Sequence, residues 1–274
     1  MARSPVQLAA GAAEATMAPL RSVSRSFAQP RTLREVAHRP WPVPERPWVM
    51  AQSWVDLLFA HWRVPPESLQ EVVPDRLPVD TFDGSAWIGV TPFEVGAFRL
   101  RGVPHVPGVT SFLETNVRTY VTVGGKPGIH FLSLDAASRL AVAGARRAYR
   151  LPYFHAKMGA RRAGGWIDYS CERTSADGPP AELRLRYRPT GDPFQAPPGS
   201  LDHFLAERYC LYTLDGERRV LRAEIHHPPW PLQPADAELS RNTMAAAFGQ
   251  SLSGAPVLHF AARQDVIVWG LEEA

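Results

Sequence analysis

The residues of this chain that could do chemistry stand at alternate positions of one short segment: Glu114, Asn116, Arg118 and Tyr120. Because residues two apart share a face of a β-strand, a carboxylate, an amide, a guanidinium and a phenol would stand in one row. Inside an enclosed pocket, such a row could bind an anion and transfer a proton. On a half-buried antiparallel strand it would be an ordinary row facing water. Periodicity alone favours the second interpretation.

A second segment has the same alternation. Tyr153, His155 and Lys157 share one face, and apolar side chains share the other. If the two polar faces converge, a carboxylate, an amide, a guanidinium, a phenol and an imidazole meet in a partly desolvated space. That combination is typical of acid–base catalysis or of anion binding.

The elements between these segments must position them. A strand over 112–123 is predicted to end at the turn Gly124–Gly125, and a second strand follows. Asp135 is the expected cap of a helix that Pro152 ends, because the residue before a proline avoids the α conformation. One face of this helix carries mostly small residues, which predicts close packing on a sheet: Ala137, Leu140, Ala141, Gly144 and Ala148.

The rest of the chain is predicted to be mainly strands. They are expected at 85–95, 166–173, 182–188, 207–213, 219–225, 257–261 and 265–269. Apolar residues at helical spacing predict a helix over 52–62, and further helices are expected over 66–73, 200–206 and 235–247. Many strands with hairpin turns and few helices predict a strongly curved antiparallel sheet or a closed barrel.

The charge distribution excludes one class of partner. The chain has 274 residues, 45% of them apolar, and a net charge of +3. Residues 1–50 contain seven Arg and three Glu, so the remaining 23 basic and 24 acidic residues sum to −1. A nucleic-acid-binding protein concentrates positive charge on its fold, so no nucleic-acid partner is expected.

The N-terminal region is predicted to precede the folded domain. Residues 1–48 are expected to form a disordered or extended leader, and 49–274 a single domain. Glu14 interrupts the apolar stretch near the N-terminus, which argues against an export signal. No run approaches ~18 apolar residues, so no membrane association is expected. Cys171 and Cys210 are predicted to be small reduced core residues, and we expect a cytoplasmic protein.

From Trp54 to Trp269 the chain resembles the YqjF-like family of uncharacterised proteins. The matching stretches are LLFAHWRVP, DTFDGSAWIGVTPF, ETNVRTYV, FLSLDAASRLAVAGAR, LPYFHAKM, ERYCLY, HHPPWPL and LHFA. More distantly, this family resembles the acetoacetate decarboxylase-like superfamily. That resemblance implies a mainly β (α+β) fold: a cone-shaped antiparallel β-barrel around a central cavity, with a few flanking helices.

The distant resemblance also implies which residues face the cavity. Glu114 stands where the decarboxylases carry a cavity glutamate, and Arg146 and Pro152 fall in register with them. The paired lysines of that superfamily are replaced here by Tyr153 and Phe154. Decarboxylation through a Schiff base needs an amine with a lowered pKa, and neither a phenol nor a benzyl group can form an imine.

The chain has only two lysines that could replace the missing amine. Lys126 lies in the turn GGKPG, where a solvated side chain is expected. Lys157 shares the face of Tyr153 but lies four residues further along the strand, which is about 13 Å at ~3.3 Å per residue. Schiff-base decarboxylation is therefore not expected.

Other catalytic and metal-binding motifs are absent from the sequence. It has no H-x-H, HExxH or C-x-x-C spacing and no G-x-S-x-G elbow. His226 and His227 are adjacent, so their side chains diverge in an extended chain. His61 is interpreted as a core histidine on the apolar face of its predicted helix. No metal and no cofactor are expected.

Two functions stay open at this point. The first is a small-molecule cavity protein that binds or acts on a carboxylate-bearing ligand. The second is a non-catalytic ligand-binding or structural relative of the decarboxylase-like fold. For the first function the candidate catalytic residues are Glu114, Tyr153 and His155, and the candidate ligand-binding residues are Asn116, Arg118 and Arg146. Burial would require the carboxylate of Glu114 and a guanidinium either to pair or to meet a ligand, so Glu114 is expected to be the charge partner of Arg118 or of Arg146, beside Tyr153. The sequence leaves a homo-oligomer open.

Overall fold

The computed structural model describes residues 29–103, 111–216 and 219–274. The strands of this part of the chain are β1 (Met50–Val64), β2 (Ala86–Leu100), β3 (Phe112–Val123), β4 (Lys126–Ala136), β5 (Tyr153–Ala163), β6 (Trp166–Arg173), β7 (Glu182–Pro189), β8 (Cys210–Leu214), β9 (Val220–His226), β10 (Gln233–Asn242), β11 (Val257–Val268) and β12 (Glu272–Glu273). The α-helices are α1 (Pro66–Gln70), α2 (Arg139–Tyr149) and α3 (Leu201–Ala206). Two 3₁₀ helices span Gln29–Arg34 and Ala246–Phe248.

The strands close into a barrel. They pair in the order β4–β3–β2–β1–β11–β10–β7–β6–β5, and β5 returns to β4 through a pairing of Tyr153 with Leu134. This circuit has nine strands, and its pairings are antiparallel except for the short contact of β4 with β5. The mainly β barrel with few helices that the sequence predicts is confirmed.

A second circuit shares five of these strands. β8 pairs with β4 and with β9, and β9 also pairs with β11, where Ile225 lies opposite Val268. Strands β4, β3, β2, β1, β11, β9 and β8 therefore form a closed ring of seven. A large apolar cluster packs one face of β1–β3 against β5, β6 and β7, and includes Leu58, Val117, Tyr169 and Leu185. The opposite face of β1–β3 lines the ring of seven.

The prediction of a helix over 52–62 is wrong, because these residues lie in the strand β1. Residues 57–62 are all buried because both faces of this strand are covered, so the apolar residues do not alternate with polar ones. Asp56 has a φ of 55°, and β1 contains one extra residue relative to β2 between Val55 and Ala60. This β-bulge brings Trp54 and Leu57 to the same side of the strand, which imitates the spacing of a helix.

The prediction of a helix over 235–247 is also wrong, because most of these residues lie in the strand β10. Its inward side chains, among them Ala237 and Leu239, alternate with the outward Asp236 and Glu238. The two carboxylates form ion pairs with arginines of β7. Pairing of residues 235–242 with β7 therefore overrides the helix propensity of the alanine, glutamate and leucine residues in this segment.

The start of α2 differs from the prediction. Ser138 is the N-cap, and its hydroxyl accepts a hydrogen bond of 3.3 Å from the amide of Ala141. Asp135 is still part of β4 and is fully buried, so it does not cap the helix. β4 continues one residue further, to Ala136, because it pairs there with β5.

The buried face of α2 is also not the predicted one. Val142 and Tyr149 are its buried residues, whereas Leu140 is 84% exposed. The helix ends after Tyr149, where Arg150 takes the left-handed conformation, and Pro152 follows as expected. Two large side chains thus attach the helix to the barrel, in place of the small-residue face.

Residues 29–48, which we assigned to the leader, pack against the barrel. Gln29 is fully buried, and its amide donates hydrogen bonds of 3.1 Å to Ser53 and 3.2 Å to the carbonyl of Ala97. Arg39 forms a buried ion pair of 2.9 Å with Glu224 of β9. The described part of the predicted leader therefore contacts the barrel, and residues 1–28 lie outside the described residues.

The buried pair of Asp135 and Arg173 joins β4 to β6. Two bonds connect them, Nε to Oδ1 at 2.7 Å and Nη2 to Oδ2 at 2.8 Å. Arg173→Met leaves the Asp135 carboxylate buried without its cation, so we expect the free energy of unfolding to fall by about 3–5 kcal/mol. Chemical denaturation measures it. The control, Arg161→Met, breaks an exposed pair on the same sheet and should cost below about 1 kcal/mol. Equal losses would contradict the prediction.

Candidate functional site

A small cavity of about 70 Å³ lies inside the ring of seven strands. Most of its wall is apolar and comes from β1, β4, β8, β9 and β11, with Ala145 and Tyr149 contributed by α2. The polar side chains that line it are Gln52, Thr91, Glu114, Asn116, Arg118 and Tyr153. A mostly apolar space with a few convergent polar groups is typical of a small-molecule site.

β3 supplies three of these polar groups in one row, as its alternation predicts. Glu114, Asn116 and Arg118 are 5%, 6% and 5% exposed. In the pairing with β2, Glu114 lies opposite Phe93 and Asn116 lies opposite Thr91. The row therefore faces an enclosed interior, and the interpretation as a strand facing water is wrong.

Tyr153 joins this row from the start of β5. Its hydroxyl donates a hydrogen bond of 3.0 Å to Oε2 of Glu114. Burial raises the pKa of Glu114 from its ordinary value of 4.5 to about 8, although the bond from Tyr153 favours the carboxylate. Burial and the neighbouring Glu114 also raise the pKa of Tyr153 well above its ordinary value of 10. At neutral pH both groups are therefore largely protonated, and Glu114 can donate a proton.

Arg118 is a buried cation held only by neutral groups. Its Nη2 donates to the carbonyl of Leu205 at 3.1 Å and to the hydroxyl of Tyr120 at 3.3 Å. The guanidinium lies 5.0 Å from the ring centroid of Phe59. Among the described residues, no carboxylate forms an ion pair with it. The predicted ion pair of Glu114 with Arg118 is wrong, because the protonated Glu114 bonds to Tyr153 instead.

Unpaired polar atoms cluster at the same place. Oγ1 of Thr91, Oδ1 of Asn116 and Nε of Arg118 are buried and have no hydrogen-bond partner. All three side chains line the cavity. Since most buried polar groups in proteins are hydrogen-bonded, three unpaired groups around one space make this cavity the candidate site.

Arg146 and His155 lie outside the cavity. Arg146 forms an ion pair of 2.6 Å with Asp177 and donates to the carbonyl of Tyr153 at 2.5 Å, so the alternative pair with Glu114 is also absent. His155 bonds to Thr174 at 2.7 Å and lines an open surface depression together with Arg146. His155 pairs with Ala136, the last residue of β4, and its side chain lies beyond the end of the cavity.

Neither lysine lines the cavity. Lys126 lies 4.0 Å from Glu224, with its ammonium over the ring of Trp41. Lys157 is exposed on β5. The side chains of both lysines therefore lie outside the cavity wall.

The sequence reasoning missed Thr91 and His61. Thr91 shares a face of β2 with Gly89 and Phe93, so the alternation of that strand is the signal that could have found it. His61 was assigned to a helix, but lies on β1 with its Nε2 2.7 Å from the hydroxyl of Tyr120. A strand assignment for β1 would have placed it beside the cavity row.

The described ranges were compared with the requirements of a metal site and of a membrane-spanning helix, and they meet neither. No group of three His, Cys, Asp or Glu residues there is arranged to hold a metal ion. None of the helices in the same ranges is long and apolar enough to cross a membrane.

A family model and a curated protein match most of this chain in sequence. Residues 51–265 match the family model DUF2071, described as an uncharacterized conserved protein. The uncharacterized protein YqjF of Bacillus subtilis (strain 168) is 47% identical over 232 residues, which are 84% of this chain and 95% of that protein.

Two solved structures resemble the barrel at low sequence identity. The enduracididine biosynthesis enzyme MppR complexed with pyruvate has a TM-score of 0.58 and 12% identity, with 86% of this chain and 93% of that chain covered. An acetoacetate decarboxylase-like enzyme from Sphingomonas wittichii RW1 has a TM-score of 0.54 and 15% identity, with 86% and 98% covered. At these identities the likeness shows the fold alone, and the expected acetoacetate decarboxylase-like fold is confirmed.

The raised pKa of Glu114 predicts a pH dependence of stability. The folded state keeps a proton that the unfolded state releases between pH 4.5 and about 8. Stability from this group is therefore full below pH 4.5 and is lost as the pH rises towards 8, by up to about 1.4 kcal/mol per pH unit. Glu114→Gln should remove this slope, because its amide does not ionise. Denaturation of both proteins from pH 5 to 9 measures the difference, and parallel curves would count against the prediction.

Proposed function

The chain belongs to DUF2071, a family of uncharacterised conserved proteins, and has the acetoacetate decarboxylase-like fold; from this premise we propose that its cavity binds a small carboxylate-bearing ligand. The observation that carries the proposal is Arg118, a buried guanidinium in the cavity wall whose hydrogen-bond partners are neutral. An unpaired buried charge costs several kcal/mol, and an anionic ligand would remove that cost. The ligand would pair with Arg118 through its carboxylate.

The charge balance of the cavity supports an anion over a cation. With Glu114 largely protonated at neutral pH, Arg118 leaves the space with a charge close to +1. Coulombic attraction is stronger here than at a surface, because the apolar wall excludes water. The ligand carboxylate would accept hydrogen bonds from the guanidinium, whose Nε has no partner in the unliganded protein.

The size of the cavity restricts the ligand. About 70 Å³ accommodates an acid of a few non-hydrogen atoms, unless the wall moves. One solved relative of the fold is described as complexed with pyruvate, a three-carbon 2-oxo acid. Small 2-oxo and 3-oxo acids are therefore the first ligands to examine.

For an enzymatic role, Glu114 and Tyr153 are the acid–base pair. They lie at one end of the β3 row and Arg118 lies at the other, with Asn116 between them. A ligand held by Arg118 would present its reacting carbon or carbonyl towards Glu114. Glu114 would give or accept a proton, and the phenol of Tyr153 would stabilise the carboxylate that remains. The proposal includes no imine, because neither Lys126 nor Lys157 lines the cavity.

A non-catalytic ligand-binding role is the alternative. The observation that favours it is the loss of His155 and Arg146 from the site, both of which lie on the outer surface. With these two residues absent, Glu114 and Tyr153 are the remaining proton donors among the candidate catalytic residues. Binding and proton transfer therefore need separate tests.

Binding is tested by ligand-dependent melting and calorimetry with pyruvate, acetoacetate and malonate. We expect the melting temperature of the wild type to rise with the concentration of at least one of these acids. Arg118→Met should weaken the affinity about tenfold or more, since it removes the charge but keeps most of the side-chain volume. Arg146→Met, the matched control on the outer surface, should leave it unchanged. Equal losses in both variants, or no binding by the wild type, would contradict the proposal.

Proton transfer is tested by deuterium incorporation from D₂O into the methyl group of pyruvate, followed by NMR. An enzymatic role predicts exchange above the rate without protein, rising towards pH 8 as Glu114 becomes a base. Glu114→Gln should keep the affinity for pyruvate but slow the exchange by about 100-fold or more. Binding without exchange in the wild type would support the non-catalytic alternative.

A further inference from the structure

Three strands place His61, Gly89 and Arg118 side by side on the cavity face of the sheet. His61 of β1 pairs with Gly89 of β2, which in turn pairs with Arg118 of β3. A β-carbon at position 89 would lie 2.9 Å from the ring of His61 and 3.3 Å from Cγ of Arg118. Because Gly89 has no side chain, the imidazole of His61 and Cγ of Arg118 can occupy the space beside it.

One hydroxyl group connects His61 to Arg118. Oη of Tyr120 lies 2.7 Å from Nε2 of His61 and accepts a hydrogen bond of 3.3 Å from Nη2 of Arg118. The same hydroxyl donates to the carbonyl of Leu205 at 2.7 Å. Because a phenol has a single proton and it is directed at Leu205, Nε2 of His61 must carry a proton and donate it to Tyr120.

The other ring nitrogen agrees with this tautomer. Nδ1 of His61 is buried without a partner, and a buried N–H without an acceptor is costly, so the single proton of the neutral ring belongs on Nε2. Burial, together with the charge of Arg118, lowers the pKa of His61 well below its ordinary value. The ring is therefore neutral, and it does not add a second cation beside Arg118.

The ring of Phe59 completes the support. It lies 5.0 Å from the guanidinium of Arg118 and stacks nearly parallel to the imidazole of His61, with an angle of 17° between the rings. Phe59 and His61 are two apart on β1 and share the same face. Arg118 is thus bounded by an aromatic ring on one side and by a hydrogen-bonded phenol on another.

We propose that His61, acting through Tyr120, is a positioning residue that orients Arg118 for the anion, and that Gly89 provides the space for this arrangement. The inference rests on the proposed function, since it concerns the residue that binds the carboxylate. Neither His61 nor Gly89 lines the cavity, so neither is assigned a contact with the ligand. The role depends on one N–H group at the position of Nε2.

Two substitutions of similar polarity separate this role from a merely structural one. His61→Gln can place an amide N–H near the position of Nε2, whereas His61→Asn reaches only the position of Nδ1. Calorimetry with pyruvate should give His61→Gln an affinity within about threefold of the wild type and His61→Asn an affinity at least about tenfold weaker. Gly89→Ala should also weaken binding, because its methyl group displaces both neighbours. Equal affinities for the wild type and His61→Asn, or equal losses for the two His61 variants, would overturn the inference.

A measurement without ligand distinguishes failure of this inference from failure of the proposed function. Nitrogen NMR of the unliganded wild type should show His61 as the Nε2–H tautomer. The Nε signal of Arg118 should shift in His61→Asn but stay in place in His61→Gln. If these hold while the wild type binds no carboxylate, the positioning stands and the proposed function fails. An Nδ1–H tautomer in a wild type that binds pyruvate overturns the positioning alone.

Discussion

Strands β1 to β3 are buried on both faces, because they belong to two closed circuits of strands at once. One face packs into the apolar cluster that β5, β6 and β7 cover. The other face lines the ring of seven, where it carries Glu114, Asn116 and Arg118. Water is excluded from both sides, so the polar row is desolvated. This topology therefore explains why Glu114 is protonated at neutral pH and why electrostatic interactions of Arg118 are stronger than at a surface.

The cations near the cavity differ in how their charges are balanced. The ring of Tyr120 lies near two guanidinium groups, that of Arg118 at 5.7 Å and that of Arg208 at 4.9 Å. Arg208 has a carboxylate partner, Asp80, at 2.7 Å. Arg118 has neutral hydrogen-bond partners, and the nearby Glu114 holds its proton at neutral pH. The arrangement resembles a salt bridge with one partner removed, which is the feature that the proposed carboxylate ligand would complete.

The sequence predicted those features that depend on local period or on resemblance. Alternation placed the β3 row on one face, and the resemblance brought Glu114 and Tyr153 together. The sequence pattern could not reveal the bulge at Asp56. A single extra residue in a strand that is covered on both sides gives the apolar residues a helical spacing. Nor could the pattern show that His155, although on the same face as Tyr153, passes the end of the cavity. Alternation defines a face, but closure of the circuits decides how much of that face is enclosed.

The exchange of the expected lysines for Tyr153 and Phe154 changes the electrostatics as well as the nucleophile. An ammonium group beside Glu114 would favour its carboxylate form and lower its pKa. The phenol of Tyr153 carries no charge, so its hydrogen bond offsets only part of the desolvation, and the pKa of Glu114 is about 8. Phe154 points to the other side, where its ring lies 4.0 Å from the guanidinium of the buried Arg173. With a phenol and no cation beside it, Glu114 keeps the raised pKa that burial gives it. Among the described residues that line the cavity, Arg118 is then the one group that is charged when Glu114 is protonated.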